Sequence, residues 1–360
     1  MKKKLLVALC AALAALVVAA GLLGWQAHRL AVFARTPHAV QREVVVTVRP
    51  KTGPKAVSEK LFQAGAITSA RLFYWEVRFR RRLAGRLKAG QYLFRKGEAQ
   101  TPSQIIARLL RGEVLDVKVT IPEGLRLDEE AAIFAAHGVG DPATFIRLAR
   151  DPAFARSAGI DAKSLEGYLF PDTYLVPKNI QTAALLKLMV LHFQAAYAAA
   201  DERRQAGIAL DERQTATLAS IIEKETGQAQ ERPHISCVFH NRLKLGMKLQ
   251  TDPTVIYSII LKEGHFDGDI HKRDLSIDSP YNTYEHTGLP PGPIANAGLA
   301  SLIAALDPSK CDDLYFVSKN DGTHVFCPTL ACHERAVEKW QVEYFRKKWA
   351  AERGTRSRGR

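Results

Sequence analysis

The chain has 360 residues, of which 47% are hydrophobic and 24% are charged, so it has the length for two folded domains and a globular composition. The formal net charge of +14 indicates an anionic partner, either a polyanion or an anionic membrane surface. The sequence contains no recognised nucleic-acid module, no Walker A or dinucleotide-binding glycine motif, and no HExxH or GxSxG. Nucleic-acid binding, phosphate transfer, hydride transfer and triad hydrolysis therefore lack support.

The N-terminus joins a short basic segment to a long apolar one. Residues 1–4 include lysines, and residues 5–25 carry no charged or strongly polar side chain. Such a stretch can cross a bilayer as one helix, and the preceding lysines predict that the N-terminus is cytoplasmic. A cleaved signal peptide is the alternative, because Val18, Ala19 and Ala20 offer small residues for cleavage. The first interpretation places the body of the protein outside the cytoplasm.

A small α+β unit is predicted at 43–112. Residue composition and apolar periodicity predict strands at 43–49 and 90–94 and helices at 56–64, 69–82 and 104–110. Thr101 is the expected cap of the last helix, and Gly112 its expected end. Composition leaves open whether the unit binds carbohydrate or acts as a spacer.

A larger mixed α+β domain is predicted at 113–345, followed by a basic tail at 346–360. Its predicted strands lie at 114–121, 314–318 and 324–327, and its predicted helices at 127–137, 142–150, 182–201, 217–226, 233–245, 299–306 and 334–346. Polar or proline-rich loops are predicted at 250–254, 279–286 and 288–296. Such loops hold exposed side chains in place at low entropic cost.

The helix predicted at 217–226, with Asp211 as its cap, carries two glutamates on different faces. At about 100° per residue, Glu225 continues an apolar face and Glu223 lies on the opposite one. The apolar face carries Leu218, Ile221 and Ile222. A carboxyl beside such residues loses solvation of its charged form, so its pKa should rise, as a general acid requires. The structural alternative is that Glu225 pairs with an arginine such as Arg242.

The cysteines fall into two groups. Cys10 lies in the apolar span, and Cys237 lies in a predicted helix and is expected to be a core residue. The other three, Cys311, Cys327 and Cys332, lie near the predicted hairpin. In an oxidising compartment, Cys327 could pair with either Cys311 or Cys332.

Histidines near these cysteines raise zinc binding as a further possibility. His324 and His333 accompany Cys327 and Cys332, but the spacing matches no established zinc motif. The sequence therefore predicts no metal site and no cofactor.

Five segments between residues 166 and 326 carry distinctive motifs. In chain order they are EGYLFPDTY, ASIIEKET, NRLKLGMKLQTDPTVIY, YNTYEHTGLPPGPIANAG and LYFVSKNDGTHVF. Together they resemble the YceG-like endolytic murein transglycosylases, in the order and spacing of that family. A looser resemblance extends to the N-terminus, where family members have one membrane span and a small LysM-like subdomain. It implies an anchor at 5–25, a LysM-like subdomain at 43–112 and a catalytic domain at 113–345.

The resemblance also implies an activity. Family members are lyases that cleave the MurNAc-GlcNAc bond within nascent peptidoglycan strands, which is expected to terminate strand elongation. A glutamate protonates the glycosidic oxygen, and the C6 hydroxyl of the muramic acid closes onto its own anomeric carbon to leave a 1,6-anhydro end. The family's catalytic glutamate is the second of the EKET motif, which is Glu225 here. Other motif positions imply cleft residues: Glu223, Asn241, Arg242, Gln250, Asp252, Asn282 and Tyr284.

The implied partners are peptidoglycan glycan strands, the inner membrane and peptidoglycan synthases, with the catalytic domain in the periplasm. Two alternatives remain open. One is a muramidase-type hydrolase on the same scaffold, with Asp252 as nucleophile or base, since hydrolases usually need two carboxyl groups. The other is a membrane-anchored glycan-binding protein without turnover. Charge does not separate these, because peptidoglycan carries peptide carboxylates and the membrane is anionic.

Overall fold

The computed structural model describes residues 2–49, 51–79 and 87–346, with side chains described from residue 13 onward. Residue 1, the side chains of 2–12 with Cys10, most of the basic segment 78–88 and the tail beyond 346 lie outside the described residues. The chain forms two compact units, one of residues 1–117 and 175–180 and one of residues 118–174 and 181–360. Helices outweigh strands in both, which confirms the mixed α+β prediction.

The first unit is built around a pair of strands and the helices between and after them. Its elements are α1 (Lys2–Arg35), β1 (His38–Ala39), β2 (Val44–Val48), α2 (Pro54–Gln63), α3 (Ala70–Phe79), β3 (Gly90–Phe94), β4 (Ala99–Gln100) and α4 (Pro102–Arg111). The strands β2 and β3 and the helices α2, α3 and α4 confirm the elements predicted for residues 43–112. The short β1 and β4, which pair antiparallel, were not predicted because two residues carry no periodicity.

Strand β2 pairs antiparallel with β3, so that Val44 lies opposite Phe94 and Val48 opposite Gly90. Alternate side chains of these strands, including Val46 and Tyr92, enter one core with residues of α2, α3 and α4. Helix α4 begins with a capping box between Thr101 and Gln104 and ends at Gly112, whose φ of 74° suits glycine. The cap and the end therefore agree with the prediction.

Helix α1 is long, apolar and largely exposed. The stretch Leu13–Arg35 has the length and composition of a membrane span, and only 6% of its most apolar 18-residue stretch is buried. Its last turn enters the core of the first unit through Phe33 and Ala34. The helix is therefore a candidate single-pass anchor. Residues 182–201 form a second helix of sufficient length and apolarity to span a membrane. However, 39% of its most apolar stretch is buried, as in a core helix.

The second unit is mostly helical. The strand β5 (Asp116–Thr120) and the strand β6 (Thr173–Pro177) lie at the division between units. The helices are α5 (Leu127–Ala136), α6 (Pro142–Ala149), α7 (Pro152–Ser157), α8 (Thr182–Asp201), α9 (Glu212–Glu225), α10 (Arg232–Lys244), α11 (Asp252–Glu263), α12 (Leu299–Leu306) and α13 (Leu330–Val337). The strands β7 (Tyr315–Ser318) and β8 (His324–Cys327) form the predicted antiparallel hairpin.

Four elements in this part of the chain differ from the prediction. Helix α7 and strand β6 were not predicted, since six and five residues are too few to show a periodic pattern. Helix α11 begins at Asp252, inside the stretch 250–254 predicted as a loop, because Pro253 suits the first turn of a helix. Helix α13 begins earlier than the predicted residue 334, after the capping hydroxyl of Thr329.

Helix α9 lies at the centre of the second unit and is buried on all sides. Every residue from Thr215 to Ile222 is buried, including the small residues opposite the apolar face. Those small residues let α12 pack closely against α9, while α10 and α11 contact it elsewhere. Asp211 caps its start through a hydrogen bond from the Gln214 amide, as predicted. The fold therefore fixes the position of Glu225, its last residue.

Two disulfides cross-link the second unit. Cys327 pairs with Cys332, one of the two predicted partners, and Cys237 pairs with Cys311. Cys237 is buried as predicted, but its sulfur is bonded rather than free.

We expect non-reducing peptide mapping of the protein to recover Cys237–Cys311 and Cys327–Cys332 as linked peptides. The four sulfurs meet in these pairs because the folded chain brings α10 to the segment before β7, and β8 to α13. A thiol count should leave only Cys10 reactive after unfolding. Linked peptides joining Cys327 to Cys311 would contradict the pairing.

Candidate active site

A cavity of about 420 Å³ in the second unit collects most of the predicted site residues. It is lined by Glu225, Arg242, Leu249, Gln250, Asp252, Tyr284, Tyr315, Phe316, Leu330 and His333. Segments distant in sequence meet here: the end of α9, the end of α10, the start of α11, the loop after 279, the hairpin and α13. Five of the eight predicted residues thus share one cavity.

Glu225 is partly exposed to this cavity at the end of α9. The pKa of its carboxyl is raised from 4.5 to about 7. Burial is the largest cause and the charge of Asp252 adds to it, while the Thr251 hydroxyl and the charge of Arg242 act in the opposite direction. The carboxyl end of a helix also disfavours a negative charge. Near neutral pH, the Glu225 carboxyl can therefore donate a proton.

Arg242 is committed to backbone carbonyls and not to Glu225. Its guanidinium donates to the carbonyl oxygens of Leu314 at 2.6 Å, Leu249 at 2.8 Å and Lys248 at 3.2 Å. The alternative of a Glu225–Arg242 ion pair is not seen: among the ion pairs of the described residues, none within 4.0 Å joins these two side chains. Arg242 holds the cavity wall in place and leaves the Glu225 carboxyl without a salt-bridge partner.

Asp252 is the second carboxylate of the cavity. The Tyr284 hydroxyl donates to Asp252 Oδ1 at 2.6 Å. Asn282 positions this tyrosine, because its Oδ1 accepts from the Tyr284 amide at 3.0 Å. The Nδ2 group of Asn282 donates to the carbonyls of Leu275 and Ile277, both at 3.0 Å. Asp252 is thus held in place by Tyr284, whose loop is fixed by the hydrogen bonds of Asn282.

Gln250 adopts a left-handed backbone conformation with a φ of 52°, uncommon for a residue other than glycine. Its amide donates to the Thr283 carbonyl at 3.1 Å. The Thr283 hydroxyl accepts from the Thr251 amide at 3.1 Å and lies 2.8 Å from the Thr254 hydroxyl. This buried contact holds the strained turn that directs Asp252 into the cavity.

Three predicted cleft residues do not line the cavity. Asn241 donates to the carbonyls of Cys311 and Asp313, both at 3.0 Å. Asn282 positions Tyr284, as described above. The Glu223 side chain is 5% exposed, and its carboxylate accepts hydrogen bonds from Arg232 and from the Gly298 amide. In this structure the three side chains position neighbouring segments, and their contact with substrate stays a prediction.

The cavity also contains residues that the sequence did not indicate. Tyr315 lies beneath the Arg242 guanidinium, 5.1 Å from its ring centroid, and stacks on His333 at 5.1 Å. Phe316, Leu249 and Leu330 complete this wall. The hairpin alternation predicted a strand at 314–318 but gave no sign that this strand faces the glutamate. Strand β7 and Glu225 come together only in the folded chain.

One cluster of metal-type ligands lies outside the cavity. The ligand atoms of His234, Cys311 and Asp313 lie within 4.8 Å of one another. The sulfur of Cys311 is bonded to Cys237, so it is not a thiolate ligand, and His234 and Asp313 already pair at 2.7 Å. The sulfurs of Cys327 and Cys332, considered for zinc from the sequence, are bonded to each other.

The chain is similar to known proteins in sequence and in fold. The model of the YceG-like family matches residues 46–339. The chain is 35% identical to the endolytic murein transglycosylase of Bacillus subtilis over 318 residues, which covers 82% of the chain and 84% of that protein. It is 25% identical to the endolytic murein transglycosylase of Streptococcus pneumoniae, of which it covers 58%. A yceG-like protein from Listeria monocytogenes superposes with a TM-score of 0.55 at 31% identity, over 82% of this chain and 98% of that one.

Proposed function

This chain belongs to the YceG-like family, and we propose that it is an endolytic murein transglycosylase, a lyase that cleaves peptidoglycan. The proposed bond is the MurNAc-GlcNAc linkage inside glycan strands, and the proposed product ends in 1,6-anhydro-MurNAc. Cleavage inside a nascent strand would end its elongation.

The proposed reaction uses one protein acid. The Glu225 carboxyl donates its proton to the glycosidic oxygen as the bond from that oxygen to the muramic anomeric carbon breaks. The C6 hydroxyl oxygen of the same muramic residue bonds to the anomeric carbon, and its proton returns to the Glu225 carboxylate. No water is consumed, and the enzyme regains its starting protonation state. Asp252 and Arg242 shape the electric field and the wall around this carboxyl.

The observation that carries the proposal is the Glu225 carboxyl, which lines the cavity with a pKa raised to about 7 and has no salt-bridge partner among the described residues. Digestion of purified uncrosslinked glycan, followed by mass spectrometry of the products, tests it. Anhydro ends are lighter than reducing ends by one water. Reducing ends would indicate the hydrolase instead, and binding without cleavage would indicate a glycan-binding protein.

We expect glycan cleavage to slow above pH 7, about tenfold per pH unit, because the proton donor is lost as Glu225 ionises. Replacing Asp252 with asparagine keeps an oxygen that can accept from Tyr284 but removes the charge that raises the pKa of Glu225. The pKa of Glu225 should fall, so the alkaline limb of the rate profile should move to lower pH. Activity lost equally at every pH would favour Asp252 as a nucleophile.

We also propose that the small unit at 43–112 is the LysM-like, glycan-positioning subdomain. Support comes from its order of strand, two helices and antiparallel strand around a core of its own. Deleting it while keeping α1 should weaken cleavage of long strands more than of short oligomers. Equal loss on both substrates would point to a role in folding.

The remaining proposal is a single uncleaved anchor at 5–25, with the cytoplasmic N-terminus at 1–4 and the catalytic domain, 113–345, in the periplasm. Support comes from the exposed apolar part of α1, Leu13–Arg35, and from the lysines at the start of the chain. Such an anchor would hold the enzyme beside peptidoglycan synthases and growing strands. We expect protease added to spheroplasts to digest the body of the protein. Full protection, or a mature N-terminus after Ala20, would contradict this topology.

A further inference from the structure

An apolar cavity of about 740 Å³ lies in the first unit between α1 and α3. Most of its wall is aliphatic or aromatic: Leu23, Ala27 and Leu30 of α1, and Leu72, Trp75 and Phe79 of α3. Both helices belong to the same compact unit. A cavity of this size and apolarity can hold a hydrocarbon chain.

Two of the aromatic residues of α3, Trp75 and Phe79, are exposed to solvent and lie outside the core. Trp75 is 39% exposed and Phe79 is 67% exposed, and their rings stack at 5.3 Å. The opposite face of α3 provides Phe73 and Val77, both fully buried in the core. Because one face already satisfies the fold, the exposed aromatic pair indicates an external apolar contact.

The position of the cavity along α1 indicates what covers it. If the span is 5–25, the bilayer headgroup region extends about 5–7 Å further, or roughly four residues of helix. The cavity begins at Leu23 and reaches Leu30, so it lies at this depth. Trp25, with the Arg29 guanidinium 4.7 Å from its ring centroid, is the residue type that favours this interface. Both Arg71 and Glu76 line the cavity, but Glu76 is buried, whereas Arg71 is exposed and its charge suits an anionic headgroup.

We propose that this cavity binds the acyl chain of a membrane phospholipid, and that Trp75 and Phe79 lie in the bilayer interface. The proposal rests on the membrane anchor described under the proposed function. Arg71 and the exposed Arg78 then face the headgroups. Bound in this way, the small unit is held against the bilayer surface by two helices instead of one.

Single-tryptophan forms of the full chain, reconstituted in vesicles of phosphatidylethanolamine and phosphatidylglycerol, test the proposal. One form keeps only Trp75 and another keeps only Trp25, with Trp340, Trp349 and the remaining tryptophan changed to phenylalanine. The matched control is Phe62→Trp in a tryptophan-free background, because Phe62 is 47% exposed on α2 and does not line the cavity. Fluorescence is quenched either by acyl-brominated phospholipid or by aqueous acrylamide.

We expect brominated lipid to quench Trp75 and Trp25, and acrylamide to quench the control at position 62. Quenching of Trp25 by lipid without quenching of Trp75 would leave the anchor standing and overturn the lipid site. Protection of Trp75 from both quenchers would show that protein covers the cavity and would also overturn it. Absence of lipid quenching at both tryptophans would overturn the anchor and the lipid site together, while the activity assay on glycan would be unaffected.

Discussion

Replacing Glu225 with glutamine should lower the rate of glycan cleavage by about 10²–10⁴-fold, the usual contribution of a general acid. Glutamine keeps the shape of the side chain but has no proton to transfer. At its ordinary pKa of 4.5, only roughly 0.3% of a glutamate is protonated at pH 7, whereas burial in this cavity makes the protonated form abundant. The loss should appear in the chemical step more than in the binding of glycan.

Folding should survive this substitution, because Glu225 has no salt bridge to lose among the described ion pairs and its charged form is poorly solvated. Circular dichroism and the unfolding midpoint should match the unsubstituted protein. The matched control is Glu263→Gln, which changes an exposed glutamate that is also the last residue of its helix. The control should cleave normally. The residual activity of Glu225→Gln should no longer change with pH near 7, and cleavage at close to the original rate would assign the acid elsewhere.

The periodic elements of the fold were predictable because their patterns are local. Helices α8 and α12 and strand β3 match the predicted bounds. Strand β6 was missed because its pairing with a distant segment, not its own sequence, defines it. The start of α11 was missed because a polar Thr-Asp-Pro sequence fits a loop and a helix start equally well.

The candidate site was predictable only in part, for a similar reason. Burial beside Ile221 and Ile222 indicated Glu225 from sequence alone, since neighbours within one helix are local. Glu223 lies on the face of α9 opposite to Glu225, as predicted, but this face is buried as well as the apolar one. Some motif residues reach the cavity and others brace it. The difference depends on contacts in the folded chain, such as that of Asn241 with Cys311, 70 residues away. Spacing in the chain carries no such information.

The brace at Glu223 gives the second large expected effect, this time on stability. Its Oε1 accepts from Arg232 Nη2 at 2.7 Å, and its Oε2 accepts from the Gly298 amide at 3.0 Å. Gly298 is the cap residue of α12, so one carboxylate joins the end of α9, the start of α10 and the start of α12. The side chains of Glu223 and Arg232 are 5% and 9% exposed. Breaking a buried pair by removing one partner typically costs about 3–5 kcal/mol.

We therefore expect Glu223→Ala to lower the free energy of unfolding by about 3–5 kcal/mol, because it leaves the Gly298 amide without its acceptor. The buried Arg232 guanidinium then keeps only the longer contact to Glu123, at 3.4 Å. Urea unfolding followed by circular dichroism measures this loss. The double variant Glu223→Leu with Arg232→Met should recover part of it, since an apolar pair of similar size replaces both charges. The Gly298 amide stays without this acceptor, and the half-exposed Glu123 loses its contact with Arg232. The matched control is Glu113→Ala, which removes one partner of the exposed Arg111–Glu113 pair and should change stability little.

Activity per folded molecule separates bracing from substrate contact. If Glu223 only braces the unit, Glu223→Ala assayed well below its unfolding transition should cleave glycan at close to the original rate, with an unchanged alkaline limb set by Glu225. The double variant should do the same, because neither change alters the cavity lining. A large loss of cleavage in a variant whose stability is restored would instead place Glu223 in contact with the glycan, as the family motif implied. Bracing predicts the first result, since both carboxylate oxygens are already occupied by Arg232 and Gly298.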